Sequence, residues 1–246
     1  MARIDGRAND DLRPVRISTG ALRYAEGSAL IEAGNTRVLC AVTVEDRVPA
    51  FLRGEGRGWV TSEYAMLPRS TAQRTPREVQ GRGGRTLEIQ RLIGRSLRAV
   101  TNLEVLGERT FTVDCDVIQA DGGTRTASIT AAYVALYEAM SRLVERGALP
   151  AVPLATQVAA VSVGMVFCDE LLDLCYEEDS HADVDLNVVR TAAGGFVEIQ
   201  GTAEGKPFTK STLDSMLALA ERGIQRLFQA QREAIAGIKG LDPAHP

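Results

Sequence analysis

Nowhere in the 246 residues does an apolar run approach the roughly 18–20 residues that span a bilayer. The polar opening MARIDGRANDDLRPVR has no apolar core of a secretory signal, so a cytoplasmic protein without membrane partners is expected. Cysteine is scarce. Cys40, Cys115, Cys168 and Cys175 form no CxxC pair, and four thiols in so long a chain do not make a disulfide framework. Cys40 and Cys115 fall in apolar, strand-like runs, where buried structural thiols are expected. Aromatic residues are 5% of the chain (one Trp, five Tyr, six Phe), too thin for base-stacking platforms of the single-strand-binding kind. GxSxG, P-loop, HExxH and dinucleotide GxGxxG patterns are missing, which removes several common enzyme classes. Lysine is nearly absent: Lys206, Lys210 and Lys239 stand against 25 arginines. Arginine suits bidentate phosphate contact, although a GC-rich coding genome gives the same bias.

What is present is an ordinary globular composition: 45% hydrophobic, 24% charged, 23 Gly and 9 Pro. A chain of this length builds one large domain or two halves sharing a core. Its net charge of −4 conceals a division. Residues 47–98 hold eleven arginines against Glu55, Glu63, Glu78 and Glu88, whereas residues 169–204 hold ten acids against Arg190 alone. A basic segment beside an acidic one fits a polyanionic substrate together with a metal site. Two complementary surfaces that merely pair would leave the same pattern.

Hydrophobic periodicity places the elements. Residues 27–33 and 37–44 alternate around Gly34-Asn35-Thr36 and read as a hairpin, with a third strand at 59–64. Residues 67–84, with two prolines, three glycines and four arginines, read as a mobile loop. A helical stripe follows at 86–100, a strand at 110–118, the turn Gly122-Gly123, and a long helix at 128–144. The second half offers strands at 158–167, 171–176, 184–190 and 196–201, then a helix at 212–235. Each half ends in strand, loop and helix, which suggests a duplicated β-α unit with its seam at Pro150 and Pro153. The expected class is α+β, with mixed sheets and packed helices. The pseudo-repeated halves cover about 1–150 and 151–236, and a flexible tail covers 237–246.

Two helix starts attract attention as anion sites. Gly122-Gly123-Thr124-Arg125 leaves a strand and enters a helix, so backbone N–H groups at a positive helix end are joined by a hydroxyl and a guanidinium. Gly83-Gly84-Arg85-Thr86 repeats the device. The acidic candidates are Asp173, Glu177, Glu178, Asp179, Asp183 and Asp185, with Asp183 and Asp185 expected on one strand face and Asp173 on the adjoining hairpin arm. A hard cation such as Mg²⁺ uses one or two carboxylates and completes its shell with water or phosphate oxygens; a solvated acidic loop is the other reading. His181 in this run and His245 near the end carry little weight as ligands or bases.

Several long motifs carry a resemblance. Gly58-Trp59-Val60-Thr61-Ser62-Glu63-Tyr64, Met66-Leu67-Pro68-Arg69-Ser70-Thr71, Gly83-Gly84-Arg85-Thr86-Leu87-Glu88-Ile89-Gln90-Arg91 and the stretch from Asp114 through Gly122-Gly123-Thr124-Arg125-Thr126-Ala127 resemble the bacterial ribonuclease PH family. Arg3-Ile4-Asp5-Gly6-Arg7, Leu12-Arg13-Pro14-Val15 and Glu198-Ile199-Gln200-Gly201-Thr202-Ala203-Glu204-Gly205 agree with it. The resemblance runs from about residue 3 to residue 236. It implies a duplicated fold of the ribosomal protein S5 domain 2-like type and a phosphate-dependent 3′-to-5′ exoribonuclease that trims tRNA precursors and releases nucleoside diphosphates. It implies phosphate binding at Arg85, Gly123, Thr124 and Arg125, catalytic or Mg²⁺-associated acids at Asp179 and Asp185, and RNA contacts at Arg69, Arg74 and Arg77. It further implies a homohexamer built as a trimer of dimers. Catalytically inert relatives that channel RNA through exosome-like rings offer the alternative, although such subunits lose the phosphate arginines or the acidic pair. Cys175 stands where a glutamate is expected, which removes a third carboxylate.

Overall fold

The computed structural model describes residues 3–77 and 83–238. Two sheets organise the chain. In the first, β1 (Val15–Thr19), β2 (Gly27–Ala33), β3 (Thr36–Glu45), β5 (Thr110–Gln119) and β4 (Trp59–Met66) stand side by side in that order. Its pairs are antiparallel except β4–β5, which is parallel because α1 (Gly84–Arg98) carries the chain back between them. The second sheet is antiparallel, in the order β7 (Asp169–Leu172), β6 (Val158–Val166), β8 (Val184–Thr191), β9 (Phe196–Ala203). The helices α2 (Thr124–Glu145), the single turn α3 (Tyr176–Asp179) and α4 (Lys210–Ala236) complete a mixed α+β architecture.

The central helix explains why the two sheets form one body. Seventeen of the 22 residues of α2 are buried, so it reads as apolar or small nearly all round rather than as a striped surface helix. It touches strands of both sheets. Close approach demands a small partner: a Cβ on Gly27 of β2 would lie 2.2 Å from the Ala135 carbonyl of α2. On β6 the alternation divides between two cores. Val158 and Ala160 join the cluster around α1 and α2, whereas Ala159, Val161 and Val163 join the cluster under α4. Both faces being covered, β6 is apolar along most of its length.

Several elements depart from the periodicity. β1 is short and only half buried, so its alternation is faint. The strand expected at 171–176 stops at Leu172, because Asp173 takes a left-handed φ of 55° and Tyr176 opens α3. Asp183 lies just before β8 rather than on its face with Asp185. The long helix starts at Thr124, four residues ahead of its first strong apolar stretch. Gly123 at φ 63° ends the turn there, and the Thr126, Ser128 and Thr130 hydroxyls donate to carbonyls three or four residues back. Of the basic loop, residues 78–82 lie outside the described residues, as do 239–246 of the expected tail, which includes His245. Cys40 and Cys115 are buried free thiols facing each other across β3 and β5, Sγ to Sγ 3.5 Å.

Candidate active site

The glycine turn before α2 is built into the protein from both sides. Gly122 and Gly123 both have positive φ, 76° and 63°. A Cβ on Gly122 would press to 2.5 Å from the Leu174 carbonyl, so this turn lies directly on the backbone that leads into α3. Asp121 receives the Tyr176 N–H at 3.2 Å. Arg13 completes the joint, donating to the Asp121 carbonyl at 2.5 Å and to both oxygens of Asp173, at 3.0 and 2.7 Å. Burial works against the Arg13 charge, but Asp173 overrides it and holds the guanidinium above its ordinary pKa.

Asp173 therefore belongs to the scaffold and not to the acidic group of the site. Its carboxylate is buried against Arg13, with Arg7 3.7 Å away. Beside it, Arg3 grips Glu178 through two hydrogen bonds of 2.8 and 2.6 Å and caps the Leu172 carbonyl. Three arginines of the first thirteen residues thus hold the segment from Asp173 to Glu178 against the glycine turn.

On this scaffold the expected site residues converge. Thr124 and Arg125 are the first two residues of α2, with Gly123 as its cap, and Arg85 is the second residue of α1. The Tyr64 hydroxyl, from β4, is 2.9 Å from the Thr124 hydroxyl. Burial raises the Tyr64 pKa, opposed by the Thr124 hydrogen bond and by the charges of Arg85 and Arg125, so both positive charges act on this corner. Arg85 is exposed and makes no hydrogen bond or ion pair with any described residue. Arg125 is held: its Nη1 donates to Gln200 of β9 at 2.5 Å and to Glu88 of α1 at 3.2 Å.

Asp179 ends α3 and Asp185 lies on β8. Asp179 is open to solvent at its tip, yet the surrounding protein desolvates it enough to raise its pKa, against the pull of Arg85, Arg125 and Arg13. Asp185 is raised by burial and then by the charge of Asp179, with Arg125 opposing. Asp185 feels the charge of Asp179, both feel Arg125, and neither has an ion-pair partner among the described residues. No three His, Cys, Asp or Glu side chains come together as a cage among those residues. Asp179 and Asp185 instead offer two carboxylates, the donor type a hard divalent cation accepts.

Arg69, Arg74 and Arg77 are exposed on the loop after β4, where Arg77 acts electrostatically on Asp116 of β5. A cavity of about 620 Å³ runs from Arg77 to Arg85 along the outer side of β4 and β5. His181 is exposed and bonds locally to Glu177 and Ser180. Sequence reasoning passed over Arg13, Tyr64, Glu88 and Gln200 as individual site residues. Each acts through a partner 37 to 160 positions away, and no local pattern announces that.

The 3′ exoribonuclease family matches this chain in two parts: its domain 1 over residues 11–142 and its domain 2 over residues 156–223. Among solved structures, the chain is similar to a chain of the Archaeoglobus fulgidus exosome with RNA bound to the active site, with a TM-score of 0.79 and 24% identity over 92% of this chain and 91% of that one. Rrp46 of rice (Oryza sativa) gives 0.72 and 23% over 95% and 100%. A chain of an archaeal exosome core gives 0.74 and 23% over 93% and 91%. At these identities the likeness is one of fold.

Proposed function

The chain belongs to the 3′ exoribonuclease family, and from that premise we propose that it is a catalytically active, phosphate-dependent 3′-to-5′ exoribonuclease that trims tRNA precursors in the cytoplasm. The observation that carries the reading is the Tyr64–Thr124 hydrogen bond at the start of α2, a corner on which the charges of Arg85 and Arg125 both act, with Asp179 under the influence of both arginines and Asp185 under that of Arg125.

Bringing inorganic phosphate to a phosphodiester opposes two anions, so catalysis rests on positioning and charge neutralisation. Arg85, Arg125, the Thr124 hydroxyl and the α2 N-terminal N–H groups hold and orient the phosphate. One phosphate oxygen attacks the terminal phosphorus. The bond from that phosphorus to the 3′-oxygen of the preceding nucleotide breaks, and a nucleoside diphosphate leaves. The freed 3′-oxygen needs a proton, and an aspartate with a raised pKa at Asp179 or Asp185 is suited to give it. Mg²⁺ or another divalent cation would be held by these two carboxylates and would supply neutralising charge beside the scissile phosphate. Arg69, Arg74 and Arg77 bind the RNA backbone without reading sequence. A homohexamer, a trimer of dimers, multiplies these contacts around a ring and raises the effective concentration of RNA at each site.

A non-catalytic, RNA-channelling ring subunit is the competing reading. The exposed Arg85 speaks against it, as do Asp179 and Asp185, which have no ion-pair partner among the described residues, since such a subunit has no use for them. Product analysis decides the matter. RNA incubated with the protein, inorganic phosphate and Mg²⁺ yields nucleoside diphosphates, and Arg125→Ala or Arg85→Ala loses this phosphate dependence. Monophosphate products would mean hydrolysis, and no turnover by the wild type would mean a channelling subunit.

A further inference from the structure

We propose that Glu88 and Gln200 are positioning residues that determine which edge of Arg125 is presented to the phosphate. The proposal rests on the assignment of Arg125 to inorganic phosphate made above.

A guanidinium has five N–H donors, two of them on Nη1. In Arg125 both of those are taken, by Gln200 Oε1 at 2.5 Å and by Glu88 Oε1 at 3.2 Å. Gln200 Nε2 in turn donates to Glu88 Oε1 at 3.2 Å, closing a triangle of three side chains. The triangle admits one orientation of the amide. Turned over, it would set its NH₂ against the guanidinium and its carbonyl against the carboxylate. Nε and Nη2 of Arg125 are left without a partner among the described residues, and that edge is the one suited to bidentate oxyanion contact. With its side chain 17% exposed, Arg125 has little freedom to turn another edge outward.

The two positioning residues come from different halves of the chain. Glu88 lies in the second turn of α1. Gln200 lies on β9 opposite Asn187 of β8, while Asp185 is opposite Thr202 in the same strand pair. Gln200 therefore ties the phosphate arginine to the strand pair that carries Asp185. The contact between α1 and β9 does not depend on it alone, because Arg95 of α1 and Glu198 of β9 form a separate ion pair. Losing the Gln200 side chain should release Arg125 without separating the elements.

The experiment is steady-state phosphorolysis of a short RNA at varied inorganic phosphate, for the wild type, Gln200→Ala, Arg125→Ala and the exchange variant Glu88→Gln/Gln200→Glu. The exchange keeps the net charge and the three hydrogen bonds of the triangle. Gln200→Ala is expected to raise the KM for phosphate about tenfold, in line with one charge-assisted hydrogen bond. Its KM for RNA and its thermal midpoint without phosphate should stay at the wild-type values. The phosphate concentration needed to raise the thermal midpoint should rise by the same factor. The exchange variant should recover most of the phosphate KM. Should Gln200→Ala fail to fold, Gln200→Asn, which shortens the reach of the amide, reads the same KM. An unchanged phosphate KM together with a lower kcat or thermal midpoint would make the triangle a structural brace and overturn the proposal. The Arg125→Ala arm separates the two readings. If it too saturates with phosphate as the wild type does, the phosphate site itself is misassigned; if it loses saturation while Gln200→Ala keeps it, the positioning role alone falls.

Discussion

Glu178 and Asp179 are consecutive residues of one four-residue helix, and their carboxyl groups are driven in opposite directions. Burial pushes Glu178 up, but hydrogen bonds from Arg3 and the Cys175 N–H, with the charges of Arg3 and Arg7, bring its pKa below the ordinary value. Asp179, one position on, is raised by desolvation because the arginines near it lie across the site and not against it. Asp173 and Asp185 differ in their partners: Asp173 is locked to Arg13, whereas Asp185 has no ion-pair partner among the described residues. One acidic run is thus divided into a structural pair, neutralised by N-terminal arginines, and a second pair left ready for chemistry. A charge cluster acquires its meaning from what is folded against it.

Substitutions on the two sides should separate cleanly. Asp173→Ala leaves Arg13 buried at the joint of three segments with no counter-charge. Such a loss typically costs about 3–5 kcal/mol, to be read from urea unfolding. Asp185→Asn should do the reverse, costing no stability while turnover drops by about 100-fold or more, the usual scale for a lost general acid. If Asp185→Asn unfolded the protein, or Asp173→Ala left its stability untouched, the division would be wrong.

Acid should sharpen the same contrast. Glu178 has a lowered folded pKa, so the stability it contributes is present above its unfolded pKa and is lost as pH falls through the folded one. Asp179 and Asp185 have raised folded pKa values, so their contribution has the other sign: it favours folding at low pH and is lost as pH rises through the folded pKa. A pH series of urea midpoints should therefore show Glu178→Gln flattening the acid limb of the wild type. Asp185→Asn should raise the midpoint slightly at neutral pH.

The smallest expected effect concerns the exposed arginines of the loop. Replacing Arg69, Arg74 and Arg77 with alanine should reduce the slope of log affinity for tRNA against log salt by about 2, from about 0.7 per lost phosphate contact on single strands. Cleavage of very short RNA should persist, since Arg85, Thr124 and Arg125 are untouched. An unchanged slope would remove the loop from RNA binding.

Local pattern was enough for the α+β class, the 27–33 hairpin arm, the 110–118 strand and both glycine-opened helices, because period and turn chemistry are written in neighbouring residues. It was enough as well to single out Arg85, Thr124 and Arg125, since an anion site at a helix start is a short-range device. The grouping of the acids was another matter. Asp173 looked equivalent to Asp185 until the fold set it against Arg13, 160 positions away. Nor could any stretch of sequence reveal that Gln200 of β9 would meet Arg125 at the start of α2, 75 positions away. Hydrogen bonds and ion pairs act over a few ångströms, so only the tertiary structure decided which charges are spent on the scaffold and which are left without an ion-pair partner among the described residues.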